Sequence, residues 1–86
     1  MLSRNILKVD DVFHIDGVGT IVSGILSSGS LSKGMKTIIN GKSSEIIRIE
    51  ARNQTLELLT AGLSAGLVLS NVSKQDIQKG SEYLFQ

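Results

Sequence analysis

From Val18 to Leu26 apolar and polar residues alternate, and glycines at Gly17, Gly19, Gly24, Gly29 and Gly34 punctuate the run. Strand side chains point to opposite faces in turn, so this pattern describes half-buried strands that bend or reverse at short intervals. Residues 6–16 read as a first strand, with Phe13 and Ile15 on one face and His14 and Asp16 on the other. Thr20 to Ser27 reads as a second. The Gly29 to Gly34 connection leads into Met35 to Ile39, and Asn40-Gly41 then forms the strongest hairpin signal in the chain. Ser43 to Arg52 is the return strand. Thr55 to Leu59 and Leu63 to Asn71 follow, the latter with Leu63, Ala65, Leu67 and Leu69 on one face, and Tyr83 to Phe85 ends the series. One helical turn interrupts it: Ser73 caps, Asp76 completes a capping box, and Gly80 suits a left-handed exit. The pattern predicts an all-β fold, a small closed antiparallel β-barrel of about six to seven short strands with one helical turn.

Length and composition narrow the class. With 86 residues and no repeat, proline or linker, 1–86 is expected to form a single domain, one that buries roughly 60% of the surface its unfolded chain exposes. The absence of cysteine removes disulfides and thiolate zinc sites and points to a cytoplasmic setting. No apolar run exceeds four residues, against roughly 20 for a membrane-spanning helix, and Met1 to Asn5 lacks a signal-peptide apolar core, so no membrane partner is expected. Nine basic and eight acidic residues leave a net charge of +1, too little for general attraction to nucleic acid. Phe13, Tyr83 and Phe85 are the only aromatics, few platforms for base stacking along an open barrel.

Candidate chemistry is sparse. Gly29-Ser30-Leu31-Ser32-Lys33-Gly34-Met35-Lys36 approaches a phosphate-binding loop, but Met35 stands at its lysine position and a strand rather than a helix follows. His14 is the only histidine and has no cysteine to join it at a metal. Asp10 and Asp11 are expected on opposite faces of a strand, which excludes an acid–base dyad, and the many serines have no nucleophile elbow. Asn53-Gln54-Thr55 and Asn71-Val72-Ser73 match the glycosylation pattern, yet nothing else signals secretion. Neither catalysis nor a cofactor is indicated. Glu50 ends an apolar strand and enters the polar Arg52-Asn53 loop, as either a solvated strand end or part of a binding site.

Asp11-Val12-Phe13-His14-Ile15-Asp16-Gly17-Val18-Gly19-Thr20-Ile21-Val22-Ser23-Gly24 resembles the opening of the second domain of elongation factor Tu and its relatives. The likeness continues through Lys33-Gly34-Met35, Ile47-Arg48-Ile49-Glu50, Ala61-Gly62-Leu63-Ser64-Ala65-Gly66-Leu67-Val68-Leu69 and Val72 to Gly80, in the family's order and spacing. The short Asn40-Gly41 hairpin looks more like the selenocysteine-specific branch. The resemblance implies a barrel that packs beside a GTPase domain, in cis or in trans, works on the small subunit of the ribosome, and holds the aminoacyl-tRNA acceptor end. Carried over by position, Ile15, Ile21, Glu50 and Val68 would line the pocket for the terminal adenosine. Asp10, Asp11, Phe13, Ser23, Asn53 and Ser64 would border the aminoacyl group. Aliphatic side chains can cover an adenine face, and Glu50 can accept a ribose hydroxyl. Two positions depart from the family: Arg52 precedes Asn53 where a basic residue is common, and Ser64 replaces an amide. Neither a phosphate-binding loop nor Asn-Lys-x-Asp occurs, so no GTPase activity is expected of these residues.

Overall fold

A computed structural model describes residues 4–86. The strands are β1 Asn5–Ile15, β2 Gly19–Ser28, β3 Ser30–Ser32, β4 Lys36–Ile39, β5 Lys42–Ala51, β6 Gln54–Leu56, β7 Leu58–Thr60, β8 Ser64–Leu69 and β9 Glu82–Phe85, with a 3₁₀ turn at Lys74–Asp76. Hydrogen bonding orders the main sheet β4-β5-β8-β2-β1-β9, every pair antiparallel. Its two edges meet where the Lys36 and Gln86 backbones exchange N–H···O bonds of 2.8 Å each. The result is the expected all-β architecture, a nearly closed six-stranded antiparallel barrel.

The core is the alternate set of side chains that this ring turns inward. Leu7, Leu26, Ile39, Ile46, Ile49, Leu67 and Phe85 are fully or almost fully buried. One end is covered by the β3–β7 ribbon, whose central pair, Leu31 and Leu59, is fully buried. Alternation alone does not reveal β3, because three residues carry too little pattern. The expected strand Thr55 to Leu59 is in fact two: β6 folds back on β5, whereas β7 crosses to β3.

Several expected placements are corrected by the backbone. The inward residues of β1 step from Val9 to Val12, because a β-bulge between Val9 and Asp11 adds a residue opposite Gly24 and Ser23. Asp10 and Asp11 consequently both lie at the surface instead of dividing between core and solvent. Gly24 lets the strands approach there, since a Cβ at this position would overlap the Lys8 carbonyl. Beyond the bulge β1 outruns the core, leaving Phe13, His14, Ile15 and Asp16 all exposed. Leu63 precedes β8 and is 52% exposed, so it does not share the buried face of Ala65, Leu67 and Leu69. The 3₁₀ turn ends at Ile77, whose N–H reaches the Lys74 carbonyl; Gly80, at φ +84°, serves the separate turn from Gln78 to Ser81.

The Asn40-Gly41 hairpin forms as predicted, with φ of 51° and 77° at its two central residues and Ile39 paired to Lys42. It is pinned from outside. Asn40 Nδ2 and Lys42 Nζ each donate to the Asp76 carboxylate at 2.9 Å, and the Ser73 backbone N–H donates to the same group at 2.9 Å. These bonds hold the Asp76 carboxyl well below the usual carboxylate range, the Ser73 N–H contributing most.

Candidate functional site

Antiparallel pairing carries one row of outward side chains across four strands: Phe13 opposes Ile21, Ile21 opposes Val68, and Val68 opposes Arg48. A second row lies beside it, from Asp11 through Ser23 and Gly66 to Glu50. Ile15 and Ser64 extend this face at its two ends, paired with Gly19 and Ile25. Every residue predicted for the site shares the face except Asp10, the extra residue of the bulge, and Asn53, which sits in the β5–β6 turn at φ +62°.

The middle of the face is apolar and sheltered. Ile21 and Val68 are 8% and 6% exposed although they point away from the barrel interior. Beside them Gly66 leaves room, because a Cβ there would stand 3.7 Å from Ile21 Cγ2 and 3.8 Å from the Glu50 carbonyl oxygen. Phe13, paired with Ile21, is 38% exposed. An open groove of about 730 Å³ runs from Ser23, Gly66 and Glu50 past Arg52 and Gln54 to Leu63 and Ser64. Arg52, not Asn53, is therefore the loop residue that borders it.

Polar groups at the rim differ in how free they are. Asp11 accepts from the Val12 N–H at 2.8 Å and faces Lys79 Nζ at 3.2 Å, so its carboxylate is already engaged. The Val12 N–H and then Lys79 lower its pKa. Glu50 is exposed and, among the described residues, has one ionic partner, Arg48, whose Nε stands 3.5 Å from Glu50 Oε2. Arg48 was not among the residues selected from sequence. Its signal was available, since a residue two before Glu50 on a strand must share its face. Gly66 was missed for the opposite reason: a site made by an absent side chain has no residue type to announce it.

Chemically, the face offers the aliphatic pair Ile21 and Val68, the half-exposed ring of Phe13 and the accessible carboxylate of Glu50. Among the described residues no group of three His, Cys, Asp or Glu is placed to hold a metal, and no helix is long and apolar enough to cross a membrane.

The family model described as elongation factor Tu domain 2 matches residues 19–82, which takes in Ile21, Ser23, Glu50, Asn53, Ser64 and Val68 and leaves Asp10, Asp11, Phe13 and Ile15 outside. Over 76 residues the chain is 34% identical to elongation factor 1-alpha of Methanobrevibacter smithii, a match that covers 86% of this chain and 18% of that protein. The bacterial selenocysteine-specific elongation factor EF-Sec superposes with a TM-score of 0.86 at 23% identity, over 95% of this chain and 14% of its own. Translation elongation factor SelB from Methanococcus maripaludis, in its apo form, gives 0.83 at 22%, over 96% and 18%.

Proposed function

The chain belongs to the elongation factor Tu domain 2 family, and from that premise we propose that its outward face holds the aminoacylated 3′ end of tRNA. The observation that carries this is the pair Ile21 and Val68, buried on the outside of the barrel beside the side-chain-free recess at Gly66 and the exposed carboxylate of Glu50. A purine is flat and apolar on both faces, so it fits an aliphatic floor. Its ribose, linked to the base at one side, then presents a hydroxyl to a carboxylate at the rim. The aminoacyl group lies toward Phe13, Ser23 and Ser64.

No bond is made or broken in this role, and the chain spans only 18% of the length of the elongation factor 1-alpha it resembles. We assign residues 1–86 as one barrel domain that acts in the cytoplasm with a GTPase domain and the small ribosomal subunit. Binding shared among several linked domains leaves each alone with weak affinity. The two-residue Asn40-Gly41 hairpin supports placement in the selenocysteine-specific branch.

A second role, docking on a neighbouring domain without holding RNA, is favoured by Ile38 and Leu84, which are 64% and 43% exposed beside the β4–β9 seam. A titration of backbone amide resonances separates the two. The probe is phenylalanyl-adenosine joined by a stable 3′-amide, set against adenosine alone. Shifts at Ile15, Ile21, Glu50 and Val68 that are larger with the aminoacyl group are expected, and Glu50→Ala and Ile21→Ala should each weaken binding about tenfold. Absence of shifts at millimolar probe would leave the docking role.

A further inference from the structure

Resting on the tRNA-end function proposed above, we propose that Arg48 is a positioning residue for Glu50: it holds the carboxylate in the orientation that accepts the ribose hydroxyl, and so sets the preference for ribose over deoxyribose. The two residues lie on the same outward face of β5, two positions apart, with Nε of Arg48 3.5 Å from Oε2 of Glu50. That nitrogen is shut off from solvent and has no hydrogen-bond partner. A buried donor without a partner costs free energy, and Glu50 Oε2 is the acceptor it approaches. A shift of a few tenths of an ångström would complete the bond.

The consequence lies in what the pair leaves free. A carboxylate has two oxygens and about four lone-pair sites. With Oε2 drawn toward Arg48, Oε1 stays available to a ligand in the groove that Glu50 lines with Ser23 and Gly66. Opposite Glu50 stands Gly66, which has no side chain to do the same work. Without Arg48 the Glu50 side chain has no other ionic partner among the described residues and rotates freely over the groove. Aminoacylation at one of the two vicinal ribose hydroxyls leaves the other as donor, and an oriented acceptor distinguishes a sugar that has this hydroxyl from one that lacks it.

The test measures affinities of the full chain for the 3′-amide of phenylalanyl-adenosine and for its 2′-deoxy counterpart, in wild type, R48Q, R48K and E50Q. Wild type should prefer the ribose form by about tenfold, the value of one hydrogen bond to a charged group. R48Q should lose most of that preference while its melting temperature and its amide spectrum away from β5 stay unchanged. R48K, which keeps the charge, should recover part of it, and E50Q should abolish it. An unchanged ribose preference in R48Q alongside its loss in E50Q would overturn the positioning role and leave the tRNA-end function standing. Failure of wild type to bind either probe would instead remove the function on which this proposal rests.

Discussion

Two glycines of this barrel differ in what a methyl group would meet. At Gly24 an added Cβ overlaps the Lys8 carbonyl across the β1 bulge, a backbone atom that cannot swing aside. Gly24→Ala is expected to cost about 1–3 kcal/mol, visible as a lower melting temperature. At Gly66 the same methyl makes only ordinary contacts, so Gly66→Ala should leave stability within about 0.5 kcal/mol. It should nonetheless weaken binding of the phenylalanyl-adenosine amide, because it fills the recess. The pair of melts and one titration check both statements. These positions also show where sequence reading reaches and stops. Glycine in a strand signals close approach in general, but whether a backbone or an empty recess lies opposite depends on register. The bulge at Asp10 and Asp11 was hidden for a related reason, since an inserted residue changes the facing of all that follow without changing composition. The outward set Ile21, Ser23, Glu50, Ser64 and Val68 was legible by resemblance. Arg48 was legible by period two, and Gly66 by neither.

At the scale of elements, the β4–β5 hairpin and the 3₁₀ turn are joined through Asp76, which accepts from Asn40, Lys42 and Ser73. Its pKa in the folded chain is depressed, so the unfolded chain takes up this proton first as pH falls. The contribution to stability is therefore whole above the ordinary aspartate value of about 3.9 and drains away as the pH drops below it. Melting temperatures taken from pH 7 to pH 2 should decline steeply below about pH 4 in wild type, and Asp76→Asn should be less stable at neutral pH with a flatter acid limb. Long alternating strands, the Asn40-Gly41 turn and the Ser73–Asp76 capping pair all carry local signals, and each was readable. The β3–β7 ribbon was not, because its residues are set by a partner 26 to 30 positions away, and nothing local encodes it.

Across the whole molecule, closure is uneven. β2 and β8 are each paired on both sides, whereas β4 and β9 meet only through the Lys36–Gln86 pair. The candidate site lies on β1, β2, β8 and β5, the continuous part of the ring, and the seam lies across the barrel from it. Hydrogen exchange should follow this division, with the amides of Lys36 and Gln86 exchanging well before those of β2 and β8. A seam rigid enough to exchange with the core would mean that side chains, not the ladder, hold the barrel shut.

β1 and β9 also pair so that Asn5 lies opposite Phe85, which brings the two ends of the described chain out side by side. Tension applied between those ends would act across the β1–β9 ladder, in the direction that opens it one bond at a time like a zipper. The four-residue β9 would peel first, and the Lys36–Gln86 clasp would go with it. A pull between the Asn40-Gly41 turn and the far end of β1 would instead have to shear several strands past one another at once. In mechanical terms the barrel is soft along the line of its own backbone and stiff beneath the face that carries Glu50, so strain transmitted from neighbouring polypeptide would be spent at the seam before it reached the site.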